Sequence, residues 1–412
     1  MESVGQSSAS TTASHRHSLL GRIVRAQEFG LAMVIVVMVL GLTAYTHFTD
    51  GPVRQIEVLR LVDGSSVKVE SEKGFTIVEP DGGTREFLAA DGYELRGSAQ
   101  APVVRRAVSV NKFLNADNLI SVMTATSFIA IMAVAMTAII VLGGIDLSVG
   151  AIYALAAVLG AMAIQAVAPG DSGAISALPL LPALLVATLA CCGIGALCGL
   201  VNGVATVGLG VHPFIITLGG MAIYRGIAFV SSEGQTISGA ESLQSGAFKA
   251  TYFGVTPVPL IIMVVVAAIG VFIFSQTVFG RRVFAIGGNE VAARYAGIPV
   301  GRIKIICFTL SGLLAGLSAM TYLGYYGAAS SDAAKGYELN VIAAAVVGGA
   351  SLSGGRGSAL GAVLGAIIIQ LIDNSIVITG ISQQYKDIVI GLAIVIAVVI
   401  DQTNNGAGAR KH

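Results

Sequence analysis

Ten apolar runs separated by short polar stretches organise the chain, and one long polar stretch interrupts them. The runs cover Phe29 to Phe48, Leu119 to Leu142, Leu147 to Val167, Leu178 to Val204, Phe214 to Val230, Pro257 to Phe274, Ile303 to Leu323, Val341 to Val347, Ala359 to Ile378 and Ile388 to Ile400. A bilayer's apolar layer, ~30 Å thick, is crossed by about 20 helical residues rising 1.5 Å each, so most of these runs predict transmembrane helices. Val341 to Val347 is too brief even when extended back to Tyr337. It predicts a half-helix or a strongly tilted piece. The fold class expected is an all-α polytopic membrane protein of about ten transmembrane helices.

Residues 1–28 are polar and rich in Ser and Thr, then basic at Arg22 and Arg25. They predict a disordered cytoplasmic tail followed by an uncleaved first transmembrane helix over 29–49, because the apolar run exceeds a signal peptide's and no small-x-small cleavage site closes it. Residues 50–112 carry nine Lys/Arg against ten Asp/Glu. Alternation at Ile56 and Val58, Val67 and Val69, and Phe75 and Ile77, with turn signals Asp63-Gly64 and Asp81-Gly82-Gly83, predicts two short β-hairpins. A β-rich extracytoplasmic insert is therefore expected there, with a core so small that it docks on a partner or on the membrane domain. Residues 113–401 form the membrane core, and 402–412 a cytoplasmic C-terminal tail.

One stretch of the core recurs. Gly143 to Gln165 matches Gly348 to Gln370 without a gap, 205 positions later, with 14 of 23 residues identical. The shared punctuation GG-x-x-L-S-x-G predicts an internal repeat in which an apolar helix, a glycine break, a small polar residue and a second apolar helix follow one another. Broken helices at membrane depth line cavities, since freed backbone groups cannot face lipid. Gly143, Gly144, Asp146 and Ser148, with Gly348, Gly349, Ser351 and Ser353, are thus the candidate substrate-pathway residues. A plainer role competes for Asp146 and Ser351, both good helix N-caps. The relative orientation of the two copies stays open.

Composition agrees with a membrane protein: 55% hydrophobic and 11% charged residues, with mean hydropathy +0.82. A net charge of +1 gives no case for nucleic acid. Glycines at helical spacing (Gly195, Gly199, Gly203; Gly312, Gly316; Gly357, Gly361, Gly365) predict close helix packing. The four cysteines lie in apolar runs and the five histidines are scattered, so no metal site is expected. Arg225, inside an apolar run, is expected to snorkel or cap a carbonyl, and Asp373 with Asn374 to sit at the interface.

Positive charge clusters in 276–304, at Arg281, Arg282, Arg294, Arg302 and Lys304, and marks that segment as cytoplasmic. Asn289 as N-cap, Glu290 in the first turn and Gly297 past the end predict a short helix over 290–296. Val291, Tyr295 and Ile298 give it an apolar stripe suited to a partner. The phosphate-loop pattern G-x-x-x-x-G-K-[ST] is absent, as is any nucleophile and base arrangement, so the chain is expected to be neither an ATPase nor another enzyme.

The segment Phe113 to Leu119, GGIDLSVGAIYAL, the run from Gly336-Tyr337-Glu338-Leu339 through GGASLSGGRGSALGAVLGA, and AIGGNEVAARYAGI (285–298) closely resemble the membrane permeases of bacterial ABC sugar importers, of the ribose, xylose, arabinose and galactoside type within the branched-chain amino acid permease superfamily. The resemblance implies import of a monosaccharide delivered by an extracytoplasmic sugar-binding protein. It implies a second permease subunit, often identical, and a cytoplasmic ATP-binding subunit that uses ATP and Mg, with no cofactor held by this chain. It implies a multi-pass location in the bacterial inner membrane, with both termini cytoplasmic. Gly288, Asn289, Glu290, Ala293, Arg294 and Gly297 would belong to the helix that couples to the ATPase. Related permeases carry nucleosides, autoinducer-2 or branched-chain amino acids, so the solute stays open. A stand-alone secondary transporter is disfavoured by the scarcity of charge inside the helices. A sensor built on the insert is the other rival.

Overall fold

Each apolar run falls on a helix of the computed structural model, which describes residues 27–49, 53–59, 65–71, 74–91, 93–98, 101–167, 179–250 and 257–409. In chain order the long helices are α1 (Gln27–Thr49), α2 (Ala116–Val141), α3 (Val149–Val167), α4 (Leu180–Leu209), α5 (Pro213–Ser231) and α6 (Val258–Gln276). Then come two short helices, α7 (Val278–Gly288) and α8 (Glu290–Tyr295), followed by α9 (Val300–Tyr326), α10 (Tyr337–Val347), α11 (Ala359–Ile378) and α12 (Lys386–Ala409). Among the described residues eight helices are long and apolar enough to cross a membrane. α10, at 11 residues, is the half-helix that the short run predicts. α12 continues past the end of its apolar run to Ala409, so most of the expected tail over 402–412 extends that helix. Residues 1–26, where the N-terminal tail is expected, and 410–412 lie outside the described residues.

α2 is the axial helix. Its residues from Phe128 to Val141 are all buried, as expected of a helix apolar on every face and surrounded by others. α6, α9, α10 and α11 pack around it. α4 and α9 form the most extensive pair, and glycine is the reason. A Cβ on Gly195 would overlap the carbonyl oxygen of Gly312, one on Gly199 that of Phe308, and one on Gly316 that of Cys191. Backbone therefore meets backbone, the arrangement in which small residues four apart allow dispersion contacts between helices in lipid. The α10–α11 crossing is similar: Cβ atoms on Gly361 and Gly365 would overlap the carbonyls of Gly348 and Ala344.

The insert corrects the two-hairpin expectation. β1 (Val53–Leu59) pairs antiparallel with β6 (Ala101–Val110), which pairs with β5 (Tyr93–Ser98), while β2 (Ser66–Ser71), β3 (Gly74–Val78) and β4 (Thr84–Leu88) form a second sheet. The β3–β4 turn does close at Asp81-Gly82-Gly83, with Gly82 at φ +85° and Glu79 N–H bonded to Gly83 O. The Asp63-Gly64 turn lies outside the described residues, and β1 takes its partner from the far end of the insert. Phe75, Ile77 and Phe87 from one sheet and Val104 from the other make one small shared core. The insert joins the bundle at the end where Asn111 bonds Thr46 Oγ1 and Thr43 O, and where Lys112 Nζ reaches Ile378 O at 2.7 Å.

Candidate functional site

The two repeat breaks begin with the same helix stop. At the end of α2, Gly143 N–H bonds Ile140 O at 2.8 Å and Gly144 N–H bonds Ile139 O at 2.9 Å, with Gly143 at φ +76°. At the end of α10, Gly349 N–H bonds Val346 O and Ala350 N–H bonds Ala345 O, both at 2.9 Å, with Gly349 at φ +98°. Both are left-handed closures that satisfy the last carbonyls of a helix. The structural equivalent of Gly143 is thus Gly349, one residue beyond the partner that the gapless alignment assigns. After the stop the copies diverge further. Val149 to Tyr153 are helical, whereas their aligned counterparts at 354–358 turn through Gly354 (φ +85°) and Gly355 (φ +74°). α11 is capped by Ser358, whose Oγ accepts Gly361 N–H, and not by Ser351.

Both copies run in the same direction. Asn118 at the start of α2 exchanges amide hydrogen bonds of 3.3 and 2.7 Å with Asn374 near the end of α11, so α2 and α11 are antiparallel and the two breaks share one end of the bundle. There they meet: Gly355 N–H donates to Val141 O at 2.9 Å. Gly287, at the end of α7, presses on the same spot, since a Cβ there would overlap the Val141 carbonyl. The segment leading into α8 is thereby packed on both breaks through backbone alone. Ser351 is buried, its N–H on Arg356 O, while Ser353 is exposed.

Asp146 is fully buried and ends a chain of hydrogen bonds. Tyr224 O–H (α5) donates to Asn202 Oδ1 (α4) at 2.9 Å, and Asn202 Nδ2 donates to Ser148 Oγ at 2.8 Å. Ser148 O–H then donates to Asp146 Oδ1 at 2.6 Å, and its N–H to the same oxygen at 2.9 Å. From α9, Ser311 O–H reaches Asp146 Oδ2 at 3.1 Å. Thr217 on α5 takes Leu147 N–H at 3.1 Å. The break between α2 and α3 is thus tied to three further helices by polar groups that have no water to turn to at membrane depth. Asp146 and Ser148, two candidate residues of the first break, are bonded to each other. Asn202, Tyr224, Ser311 and Thr217 were not singled out from sequence, although Asn202 was legible as a lone amide in an apolar run. Arg225 caps carbonyls, donating to Ser331 O at 2.8 Å and Ala333 O at 2.7 Å. Asp373 pairs with Lys386 at 2.9 Å.

α8 forms where its caps predict. Asn289 Oδ1 accepts Ala292 N–H at 2.9 Å, and Gly297, at φ +78°, closes the end as Ile298 N–H bonds Ala293 O. Ala293 is buried against the bundle, while Gly288 and Arg294 are exposed. Val291 is 64% and Tyr295 90% exposed, so two large apolar side chains of the stripe face outward; Ile298 packs inward. Glu290 holds the helix in place by taking Lys304 Nζ at 2.7 Å and Arg294 at 2.9 Å. A cavity of about 410 Å³ opens beside it, between α8, the start of α9 and the α4–α5 turn at His212.

The Lys304 hydrogen bond, with the charges of Lys304 and Arg294, holds the Glu290 carboxyl below the usual range for glutamate. A depressed carboxylate pKa stabilises the fold above the unfolded value, ~4.3, and that contribution is lost as pH falls through the folded value. The pair is partly exposed, so the effect expected is small, ~0–1 kcal/mol. Thermal midpoints followed from neutral into acid should fall less steeply for Glu290→Gln than for the parent chain.

Among the described residues no group of three His, Cys, Asp or Glu side chains could hold a metal ion. Residues 118–398 match the family described as branched-chain amino acid transport system / permease component. The chain is 36% identical to the ribose import permease of Haemophilus influenzae, over 73% of this chain and 88% of that protein. It is 38% identical to the ribose import permease of Bacillus subtilis, over 70% and 86%, and 34% identical to the fructose import permease of Rhizobium meliloti, over 71% and 79%. No solved structure matches it.

Proposed function

The chain belongs to the branched-chain amino acid transport system / permease component family, and from that premise we propose that it is the permease of an ABC importer for a monosaccharide of the ribose or xylose kind. It is a multi-pass membrane protein and a transport subunit, not an enzyme. The observation that carries the sugar reading is the similarity to ribose import permeases over most of both chains. In this reading an extracytoplasmic binding protein delivers the sugar at the end of the bundle that bears the insert. A separate cytoplasmic subunit supplies the ATPase, with its ATP and Mg, at the α8 end, in the inner membrane with both chain termini inside. A second, identical permease completes the pathway, and the two breaks line it.

α8 is the coupling helix of this proposal. Support comes from its outward Val291 and Tyr295, from its place at the end of the bundle opposite the insert, and from the contact of Gly287 with both breaks. A partner that moves α8 would move the breaks with it, the rigid-body kind of transition. The test is reconstitution with the ATPase and binding protein in liposomes, measuring ATP hydrolysis and sugar uptake across pentoses, hexoses and nucleosides. One sugar should stimulate both. Glu290→Lys, which sets a third cation beside Lys304 and Arg294, is expected to lower sugar-stimulated hydrolysis at least tenfold; normal coupling in that variant would remove α8 from the mechanism.

A further inference from the structure

Two buried polar atoms belong to the seam between α3 and α10, and among the described residues neither has a hydrogen-bond partner: the Tyr153 hydroxyl and Glu338 Oε2. Such atoms cost a folded protein stability, so their pairing in one seam asks for a reason. The Asp146 chain differs, because each of its hydroxyls and amides is already engaged.

The seam is built to admit the carboxylate. A Cβ on Gly150 would lie 2.5 Å from Glu338 Oε2, so glycine is what lets that oxygen approach the α3 backbone. A line of tyrosine rings leads from the surface to the same place. Tyr326 is 49% exposed and its ring centroid lies 4.6 Å from that of Tyr322. Tyr322 lies 5.6 Å from Tyr153, and Tyr153 6.0 Å from Tyr337, the neighbour of Glu338. Tyr153 itself is fully buried.

We propose that this seam is the closed gate of the translocation pathway and a binding site for a polyhydroxylated ring, the tyrosine faces taking the ring's C–H surface and Tyr153 O–H with Glu338 taking its hydroxyls. A carboxylate oxygen accepts hydroxyl protons and a phenol can donate or accept, so each atom can bond a hydroxyl of the ring. Aromatic faces supply apolar contact without fixing one orientation, which suits a passing solute. In this conformation the seam is shut, and opening it exposes the two atoms to the sugar that satisfies them. The inference rests on the sugar-importer reading given above.

The experiment uses the reconstituted complex with radiolabelled D-ribose as first probe and the other sugars of the panel after it. Tyr153→Phe removes only an oxygen without a partner, so the fold should be as heat-stable as the parent or more so, while uptake of the transported sugar falls at least tenfold. Glu338→Gln should lower uptake to the same degree. Uptake within twofold of the parent in both variants would overturn the site while leaving the importer reading intact. Failure of Tyr153→Phe to assemble would overturn it too, since the hydroxyl would then have a structural role. A parent complex that moves no sugar but takes up another solute would overturn the importer reading, and this site with it.

Discussion

Gly312→Val is expected to leave no folded permease in the membrane. A Cβ at Gly312 would overlap the Gly195 carbonyl and lie 2.8 Å from Gly199 N and 2.9 Å from its Cα, so the obstacle is backbone and cannot rotate away. Overpacking typically costs ~1–3 kcal/mol when side chains can adjust. Here the α4–α9 pair, the most extensive in the bundle, would have to separate along the seam, and the cost lies at or above the top of that range. The control is Gly193→Val on the same α4, where a Cβ meets nothing within 4 Å. Membrane yield and thermal midpoint should collapse for the first and match the parent for the second. Equal behaviour of the two would show that the seam yields.

Asp146→Ala should be nearly as damaging, for an electrostatic reason. The carboxyl is the terminal acceptor for Ser148 N–H, Ser148 O–H and Ser311 O–H, and through Ser148 it orients Asn202 and Tyr224. Removing it leaves three donors buried with no acceptor, and a buried donor left unsatisfied costs ~1–3 kcal/mol. Asp146→Asn keeps one carbonyl oxygen and should lose roughly half as much. Thermal unfolding of the purified complex separates the cases, and a drop in Asp146→Ala no larger than that in Asp146→Asn would show that the network does not depend on this acceptor.

Local features were readable wherever one short window of sequence carries the physics. The ten runs mark helices because a span at membrane depth must satisfy its own backbone, and length alone separates α10 from the full spans. Asn289 and Gly297 bound α8 because capping involves residues only a turn apart. The glycine rows pointed to close packing, and the α4–α9 and α10–α11 crossings use them.

Partners could not be read this way. Asn202 and Ser311 stand 54 and 165 positions from the residues they bond, and nothing in either neighbourhood encodes the other. Ser351 looked like a cap and Ser358 is one, because the second break spends an extra turn of chain folding over Val141 before α11 starts. β1 looked ready to close a hairpin through Asp63-Gly64 and pairs with β6 instead, since strand alternation fixes a face and leaves the choice of partner to long-range packing.

By itself, then, the sequence determined which segments are helices, where they stop and which faces are small enough to meet, because these follow from apolar length, capping chemistry and side-chain volume within a few turns. Only the tertiary structure decided that the two copies run in the same direction, that Gly287 bears on both breaks, that Asp146 takes a donor from α9 and is linked through Ser148 to α4 and α5, and that among the described residues Tyr153 O–H and Glu338 Oε2 are left unpartnered at the α3–α10 seam. Those juxtapositions depend on how ten apolar helices share one interior, and apolar helices of similar composition give no local signal of which neighbour each will take.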